Sequence, residues 1–368
     1  MTSQNNQLDT REPANGSIFF ELKNLTYFCG QTIKGDIIID LKQQYEGNLV
    51  VLCLEGIEEI NYYSRKNQSS SVNRIVKTSQ LIHDFSQCQP HKIIEPDIMK
   101  IPFEMEIPND IPSQVNIFYD YENCFRINYY LCAYVIPNNP IQKPLQGIQR
   151  VLIFQQKQIA DAPIFKTIKD SPRYMLFLGL GSYNLNFYLE KPNFFPGENT
   201  MITIDYDFSQ LEKEVNQIKI DMIGVITNNS NQQDTEFNIL STECEINQTK
   251  GIEKKQIFIP ITCPLSAQGQ FAKLEFFFQL TPVTKSKRSY KLKPLIQNVN
   301  IYPNQNYYQN IHMPQIKHPK PVIQKQITQL TVSSSLLIQQ NNNKAFQNFS
   351  DSQKEYLNYY EIEKKFST

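Results

Sequence analysis

The sequence lacks tryptophan, a net charge and any long apolar run. Its 36 basic residues balance 36 acidic ones among 368, so no overall field would attract nucleic acid. The most apolar run, residues 175–181, is far shorter than the roughly 20 residues of a membrane-spanning helix. The first 16 residues lack the apolar core of a secretory signal. We therefore expect a soluble, cytoplasmic protein.

Cysteine is too sparsely placed for a disulfide framework. The seven cysteines are spaced singly at positions 29, 53, 88, 124, 132, 244 and 263. A secreted, disulfide-bonded protein would favour an even number in paired spacing. We predict reduced thiols, which agrees with a cytoplasmic location.

Motifs for catalysis are also missing. The chain contains no nucleophile elbow, no phosphate-binding loop and no H-E-x-x-H motif, and its 12 glycines offer little for a phosphate cradle. His83, Cys88 and His91 are ligand types, but no fourth ligand follows at zinc-site spacing, so solvated loop residues are the better interpretation. We predict no enzyme activity, no catalytic or cofactor-binding residues and no metal site.

The sequence does contain one long pattern twice. The segment SIFFELKNLTYFCGQTIKG around Tyr27 aligns without a gap with NLNFYLEKPNFFPGENTMI around Phe194. Further landmarks recur in the same order: Phe20 and Phe187, Gly30 and Gly197, Gly56 and Gly224, and the boundaries Ile107-Pro108 and Ile259-Pro260. A repeat of this size indicates a duplicated domain.

Each copy has the residue pattern of β-strands. Short runs rich in β-branched and aromatic residues occur at 33–41, 49–57, 101–107 and 127–135, then at 185–189, 200–206, 217–226, 235–240, 256–261 and 273–281. In 127–135, apolar residues occupy every second position, as in a half-buried strand. No convincing helical stripe exceeds two turns. These features predict an all-β protein of two tandem immunoglobulin-like antiparallel β-sandwiches.

Composition places the domain boundaries. We predict a disordered N-terminus at 1–16, a first sandwich at 17–157 and a second at 182–303. Residues 158–181 are predicted to form a linker or hinge, since they carry Pro163, Pro172, Gly179 and Gly181. The Asn- and Gln-rich tail, 304–368, is predicted to be mostly disordered, with a short helix at 351–366 after a capping box.

Four glycines are predicted to have structural roles. Gly30 and Gly197 occupy tight turns that need a positive φ. Gly56 and Gly224 are predicted to end central strands, where a bulge or a close approach is the usual reason for glycine.

These motifs resemble the arrestin family, and more closely the α-arrestins, the arrestin-domain-containing proteins. The family pattern Y-x-P-G-x-x-V-x-G is matched at Tyr27 to Gly35, with Cys29 in place of proline. The P-G-E turn of the second domain is matched at Pro196 to Glu198, and the I-x-Y-x-L strand at Ile127 to Leu131. The resemblance covers residues 17–303.

The resemblance implies an arrestin-like, non-enzymatic adaptor. Such a protein would bind cytoplasmic segments of membrane proteins in endocytosis, vesicle trafficking or signalling, at the plasma membrane or endosomes. It would connect them to ubiquitin or coat machinery, although the chain has no PPxY motif. The arginine of the arrestin polar core has only positional candidates, Arg150 and Arg173. Two alternatives remain: a retromer-like coat subunit with an arrestin fold, and a structural two-sandwich scaffold of cytoskeletal or protein assemblies.

Three features are candidate contacts with partners. Strand edges could accept an extended peptide, and the hinge would let the sandwiches rotate. The basic residues Lys285, Lys287 and Arg288 would form a peripheral contact with an anionic membrane, or simply a solvated loop. Residues 359–362 fit a tyrosine-based sorting signal, or a weakly amphipathic turn.

Overall fold

The structure, a computed structural model, describes residues 16–63, 68–85, 93–118, 124–138, 142–156, 162–174, 178–229, 233–285 and 292–304. Its regular elements are β-strands, and the described residues contain no α-helix. The predicted all-β class is therefore confirmed. The predicted disorder of residues 1–15 and of the tail from residue 305, the helix at 351–366 and the sorting signal at 359–362 lie outside the described residues.

The first sandwich contains ten strands in two sheets. The strands are β1 (Gly16–Leu22), β2 (Thr26–Phe28), β3 (Thr32–Leu41), β4 (Tyr45–Tyr63), β5 (Gln68–Asp84), β6 (Ile93–Ile94), β7 (Ile98–Glu106), β8 (Val115–Phe118), β9 (Cys124–Pro137) and β10 (Leu145–Phe154). The smaller sheet has the order β1-β3-β7, and the larger has the order β2-β10-β9-β4-β5, with β6 on β4 and β8 on β9. Only β2 and β10 run parallel among the described pairs of this sandwich.

The second sandwich contains twelve strands. They are β11 (Ile164–Asp170), β12 (Arg173–Tyr174), β13 (Leu178–Gly179), β14 (Gly181–Leu189), β15 (Asn193–Phe194), β16 (Asn199–Leu211), β17 (Val215–Asn228), β18 (Gln233–Glu245), β19 (Lys250–Phe258), β20 (Ala267–Gln268), β21 (Ala272–Thr284) and β22 (Leu295–Ile301). One sheet has the order β11-β14-β16-β19 and the other β15-β22-β21-β17-β18, with β20 on β21. Strands β12 and β13 form a separate pair.

The main strands of the two sandwiches have the same order. The order β1-β3-β7 corresponds to β14-β16-β19, and β2-β10-β9-β4-β5 corresponds to β15-β22-β21-β17-β18. Even the parallel pair recurs, as β15 beside β22. The second sandwich adds β11 on the edge of its smaller sheet. This strand lies within the segment predicted as a linker.

Period-two alternation builds the core. In β14, Tyr183, Leu185, Phe187 and Leu189 are buried, while the residues between them face outward. The same alternation runs through β16 and β21. Most of the buried apolar side chains of both sandwiches belong to one connected cluster, and a second, small cluster on β4 and β9 contains Val51, Cys53, Cys132, Tyr134 and Ile136. Because burial of apolar side chains is the main favourable term in folding, this pattern determines which face of each sheet points inward.

The paired turns confirm the predicted role of their glycines. Gly30 has a φ of 81° and Gly197 a φ of 85°, a region that residues with a Cβ rarely adopt. The N–H of Gly30 donates to the carbonyl of Ile107 at 3.1 Å, and that of Gly197 donates to the carbonyl of Ile259 at 2.9 Å. In each copy, therefore, the turn glycine donates a hydrogen bond to the isoleucine of the Ile-Pro pair.

The positions of Gly56 and Gly224 and the bounds of β19 differ from the prediction. Gly56 and Gly224 lie within β4 and β17 and do not end them, because close packing against a neighbour is compatible with a continuing strand. A bulge follows Gly56, and the Phe237 ring covers Gly224, leaving no room for a Cβ. The run predicted at 256–261 is also displaced. The strand β19 ends at Phe258, before Pro260, which has no N–H to donate.

Candidate functional site

A carboxylate of the first sandwich is buried against the second. Glu58 lies on β4 and is 0% exposed. Its carboxylate oxygens accept hydrogen bonds from three consecutive backbone N–H groups of the second sandwich, those of Gln270 at 2.8 Å, Phe271 at 2.9 Å and Ala272 at 3.1 Å. A buried charge is costly unless it is well hydrogen-bonded, and these donors supply that compensation. We call these contacts the inter-sandwich latch.

The turn between β20 and β21 is shaped to receive Glu58. The N–H of Gly269 donates to the carbonyl of Ala272 at 2.8 Å, which closes the turn and directs the intervening N–H groups toward the carboxylate. A Cβ at position 269 would lie 2.2 Å from Oε1 of Glu58, so this position needs glycine. The amide of Asn73, the cross-strand neighbour of Glu58 on β5, also donates to the side chain of Gln270.

The sequence contained a signal for this site that the strand pattern obscured. Along β4, Leu52, Leu54 and Ile60 are buried and face the core. Glu58 lies in the same series of alternate positions, where an apolar residue is expected. The residue 168 positions later (58 + 168 = 226) is Ile226, which is buried in the second sandwich. A charged residue at one core position of a duplicated pattern indicates a specific partner.

The smaller sheet of the second sandwich presents apolar side chains to solvent. Its outward face carries five exposed large apolar residues, one or two on each strand: Phe165, Tyr188, Met201, Ile252 and Phe258. Phe165 lies opposite Tyr188 on the neighbouring strand, and Met201 and Phe258 continue the line diagonally across the sheet. Phe165 is 67% and Ile252 65% exposed. Ile252 lies further along β19, separated from Phe258 by the exposed residues Lys254 and Gln256. Exposed apolar surface of this kind is typical of an interaction site. We call these five residues the apolar band.

Both edges of this sheet are open among the described residues. No described strand pairs with the outer side of β11 or of β19. Strand β19 carries Lys250, Lys254 and Lys255 against one acidic residue, Glu253. Lys250 forms an ion pair with Asp207 at 3.2 Å, whereas Lys254 and Lys255 form none with any carboxylate in the described part of the chain. The β19 edge is therefore both basic and flanked by apolar side chains.

The corresponding sheet of the first sandwich is charged on its outward face. Lys100 forms ion pairs with Glu21 at 2.6 Å and with Asp36 at 3.1 Å, and Lys34 forms one with Glu104 at 2.8 Å. The hydrogen bond that Lys100 donates to the Glu21 carboxylate raises the pKa of Lys100. A shallow cavity between these side chains is lined by six charged residues and by Leu22, Gly35, Pro102 and Phe103. This face is solvated and carries no exposed large apolar side chain.

The predicted basic contact is only partly described. Lys285 forms an ion pair with Glu214 at 2.5 Å, and the backbone N–H of Lys285 donates to the carbonyl of the same residue. Its charge is therefore already matched by an acidic neighbour. Lys287 and Arg288 lie outside the described residues.

Other candidate residues are not brought together. His83 lies on β5 with its ring against Phe85, and burial lowers its pKa; Cys88 and His91 lie outside the described residues. No cluster of metal ligands occurs in the part of the chain that the structure describes. Arg150 donates to Asn128 at 2.7 Å, and no described carboxylate forms an ion pair with it. Arg173 lies in the short strand β12.

The described cysteines are unreactive by position. All six are free, and five of them are buried. Burial raises the pKa of the half-buried Cys29 to about 11 and that of Cys263 to about 12. Because the thiolate is the reactive form, these thiols are poor nucleophiles near neutral pH.

Comparisons with known proteins found no matching protein family and no matching curated protein. Within the described residues, no helix has the length and apolar character to cross a membrane.

Proposed function

We propose that the chain is a non-enzymatic adaptor that binds extended cytoplasmic segments of membrane proteins. The proposal rests on the resemblance to α-arrestins and on one structural observation. That observation is the apolar band on a sheet with open edges. A metal-dependent reaction has no comparable support, since no group of three or more metal ligands is found in the described residues.

Edge pairing gives the binding mode. An extended peptide can add to the edge of β19, where alternate N–H and C=O groups point away from β16. Outward-facing side chains of the peptide would then lie beside Ile252 and Phe258. Backbone hydrogen bonds would supply affinity, and these neighbours would select apolar residues at alternate positions.

The charges on β19 and β18 limit the class of peptide segment that would bind. Lys254 and Lys255 would face an added strand without an acidic neighbour of their own, so acidic residues in the segment would be favoured. By contrast, β18 on the other sheet carries Asp234, Glu236, Glu243 and Glu245. It would repel an acidic segment. The adaptor would thus recognise an extended segment that alternates apolar and acidic residues at β19.

A peptide array of cytoplasmic segments from membrane proteins tests this function. The full chain is compared with a variant that combines Ile252→Ser and Phe258→Ser. We expect affinity for bound segments to fall by at least about tenfold, since a buried side chain of this size contributes about 1.5–3 kcal/mol. Hydrogen exchange should show new protection of β19 amides in the wild-type complex.

The matched control replaces the exposed apolar residues of the first sandwich, Val72→Ser with Phe118→Ser, and should bind as the wild type does. Equal binding by the β19 variant, or protection confined to the first sandwich, would contradict the proposed site. Concentration-dependent dimerisation that the β19 variant abolishes would favour the scaffold alternative, in which a second copy covers the band.

A further inference from the structure

We propose that the inter-sandwich latch holds the two sandwiches in one orientation, so that rotation about the linker requires Glu58 to leave its three N–H donors. The inference goes beyond the proposed function and does not depend on it. It limits the hinge motion that the linker composition predicts. In this view Glu58 is a conformational device and does not contact a ligand.

The hydrogen-bond donors to Glu58 lie on the other sandwich. Every hydrogen bond to the Glu58 carboxylate from a described residue comes from the turn at 269–272, which belongs to the second sandwich. The first sandwich gains nothing from a charge at this position, as Ile226 fills the corresponding place in the second with an apolar side chain. Glu58 therefore serves the contact between the sandwiches and not the core of its own sheet.

The energetics make the contact two-state. When the sandwiches separate, water must hydrate the carboxylate and the three N–H groups together. Partial separation leaves a buried charge without its donors, which is strongly unfavourable. The geometry therefore favours either the fully latched state or the fully open one. Few intermediate orientations would be populated.

The turn at 269–272 is also shaped to favour the latched state. Only glycine fits at position 269, because any Cβ would overlap Oε1 of Glu58. The Asn73 amide holds the side chain of Gln270, and the Asn229 amide donates to the Gln270 carbonyl at 2.8 Å. The contact with Asn229 lies within the second sandwich and holds the donors before the carboxylate arrives, which lowers the ordering cost of closing, whereas the contact with Asn73 forms together with the latch.

Distance measurements on the full chain test the latch. Spin labels are introduced as unnatural amino acids at Glu104 on the first sandwich and at Lys254 on the second. The wild type should give one narrow distance distribution. In Glu58→Gln the amide loses the charge and places an NH2 group against N–H donors. We expect the open fraction to rise by at least about tenfold, which corresponds to about 1.4 kcal/mol.

Two further variants keep the test decisive. Gly269→Ala leaves Glu58 intact and disturbs the latch from the second sandwich, so it should broaden the distribution as Glu58→Gln does. Glu59→Gln, at the residue next to Glu58, removes a half-buried ion pair with Arg126 and should leave the distribution narrow. If circular dichroism shows that Glu58→Gln does not fold, the distance distribution of Gly269→Ala tests the proposal in its place. A folded latch variant with the wild-type distribution would overturn the proposal.

Discussion

The two sandwiches share a strand order but present opposite chemistry on matching faces. On the smaller sheet of the first, Lys100 and Lys34 are paired with acidic neighbours. On the corresponding sheet of the second, Phe165 and Ile252 are left in solvent. The inward residues of both copies keep the alternation that builds the fold. Duplication therefore preserved the core and left the outward positions free to diverge, which is why we place the binding surface on only one copy.

The copies also differ at an inward position. Glu58 in the first sandwich corresponds to Ile226 in the second, and both are buried. Only Glu58 has backbone donors, because the turn at 269–272 contacts the first sandwich and no equivalent contact reaches Ile226 among the described residues. At this position, the charge of Glu58 is accommodated because the other sandwich supplies its hydrogen-bond donors.

The largest loss of stability is expected when Ile226 is replaced by glutamate, so that both copies carry a charge at this position. Ile226→Glu should lower the free energy of unfolding of the second sandwich by about 4 kcal/mol or more, because it buries a carboxylate without donors. Urea denaturation measures the loss. The control Ile226→Val should cost about 0.5–1.5 kcal/mol. A cost below about 2 kcal/mol for the glutamate would show that this core admits water and that the comparison with Glu58 is unsound.

The two turn glycines offer a second, smaller contrast. Gly197→Val should destabilise the second sandwich by about 1–3 kcal/mol, since a β-branched residue is strained at this φ. Gly30→Val should cost about 1 kcal/mol more, because its Cβ would lie 2.4 Å from the Asn109 amide oxygen and force a change of rotamer. A Cβ at Gly197 would meet only Ile261, at an ordinary contact distance of 3.8 Å.

Thermal denaturation of both glycine variants ranks these effects. If each variant shifts only the transition of its own sandwich, the copies unfold separately. A common shift in one transition would indicate that the connected apolar core and the latch make the two sandwiches unfold together.

Changes on the outward faces should leave stability almost unaltered. Lys100→Met removes a partly exposed ion-pair network and should cost about 1 kcal/mol or less. Phe165→Ser on the second sandwich should remain within about 0.5 kcal/mol of wild type. Chemical denaturation of both would sharpen the comparison. A large loss for Phe165→Ser would mean that the band packs against another part of the chain and is not a free surface.

The smallest expected effect is on the pH dependence of stability, and it is confined to the first sandwich. Burial lowers the pKa of His83 below its ordinary 6.5, so the unfolded chain takes up a proton first as the pH falls. The stabilising contribution of neutral His83 is complete above pH 6.5 and is lost as the pH falls toward the folded pKa. His83→Gln should flatten this dependence between pH 7 and 5. The described second sandwich contains no histidine and should lack it.

The fold was largely predictable because burial alternates with period two and the pattern occurs twice. The positive φ of Gly30 and of Gly197 followed from glycine at a turn position. The place of β11 did not follow from sequence, because Pro163 and Pro172 made its segment look like a linker and only pairing with β14 orders it. Strand β19 was placed too late, since its charged residues obscured the alternation before Ile257.

The candidate surfaces were harder to predict than the fold. Neither the latch nor the apolar band appears as a motif. The three donors of the latch are backbone N–H groups, which any residue except proline provides, so the sequence gives no sign of them. The band joins residues from four strands that only the register of the sheet brings side by side.

The order in which a ribosome makes the chain gives Glu58 a second consequence. Strand β10, which completes the first sandwich by pairing with β2, ends at Phe154, so this sandwich can fold while the second is still being made. Its Glu58 then remains hydrated until residues 270–272 emerge more than a hundred residues later. Docking of the sandwiches is thus expected to be a late step in biogenesis. Until that step, a nascent chain exposes a charged surface that discourages premature association with its neighbours.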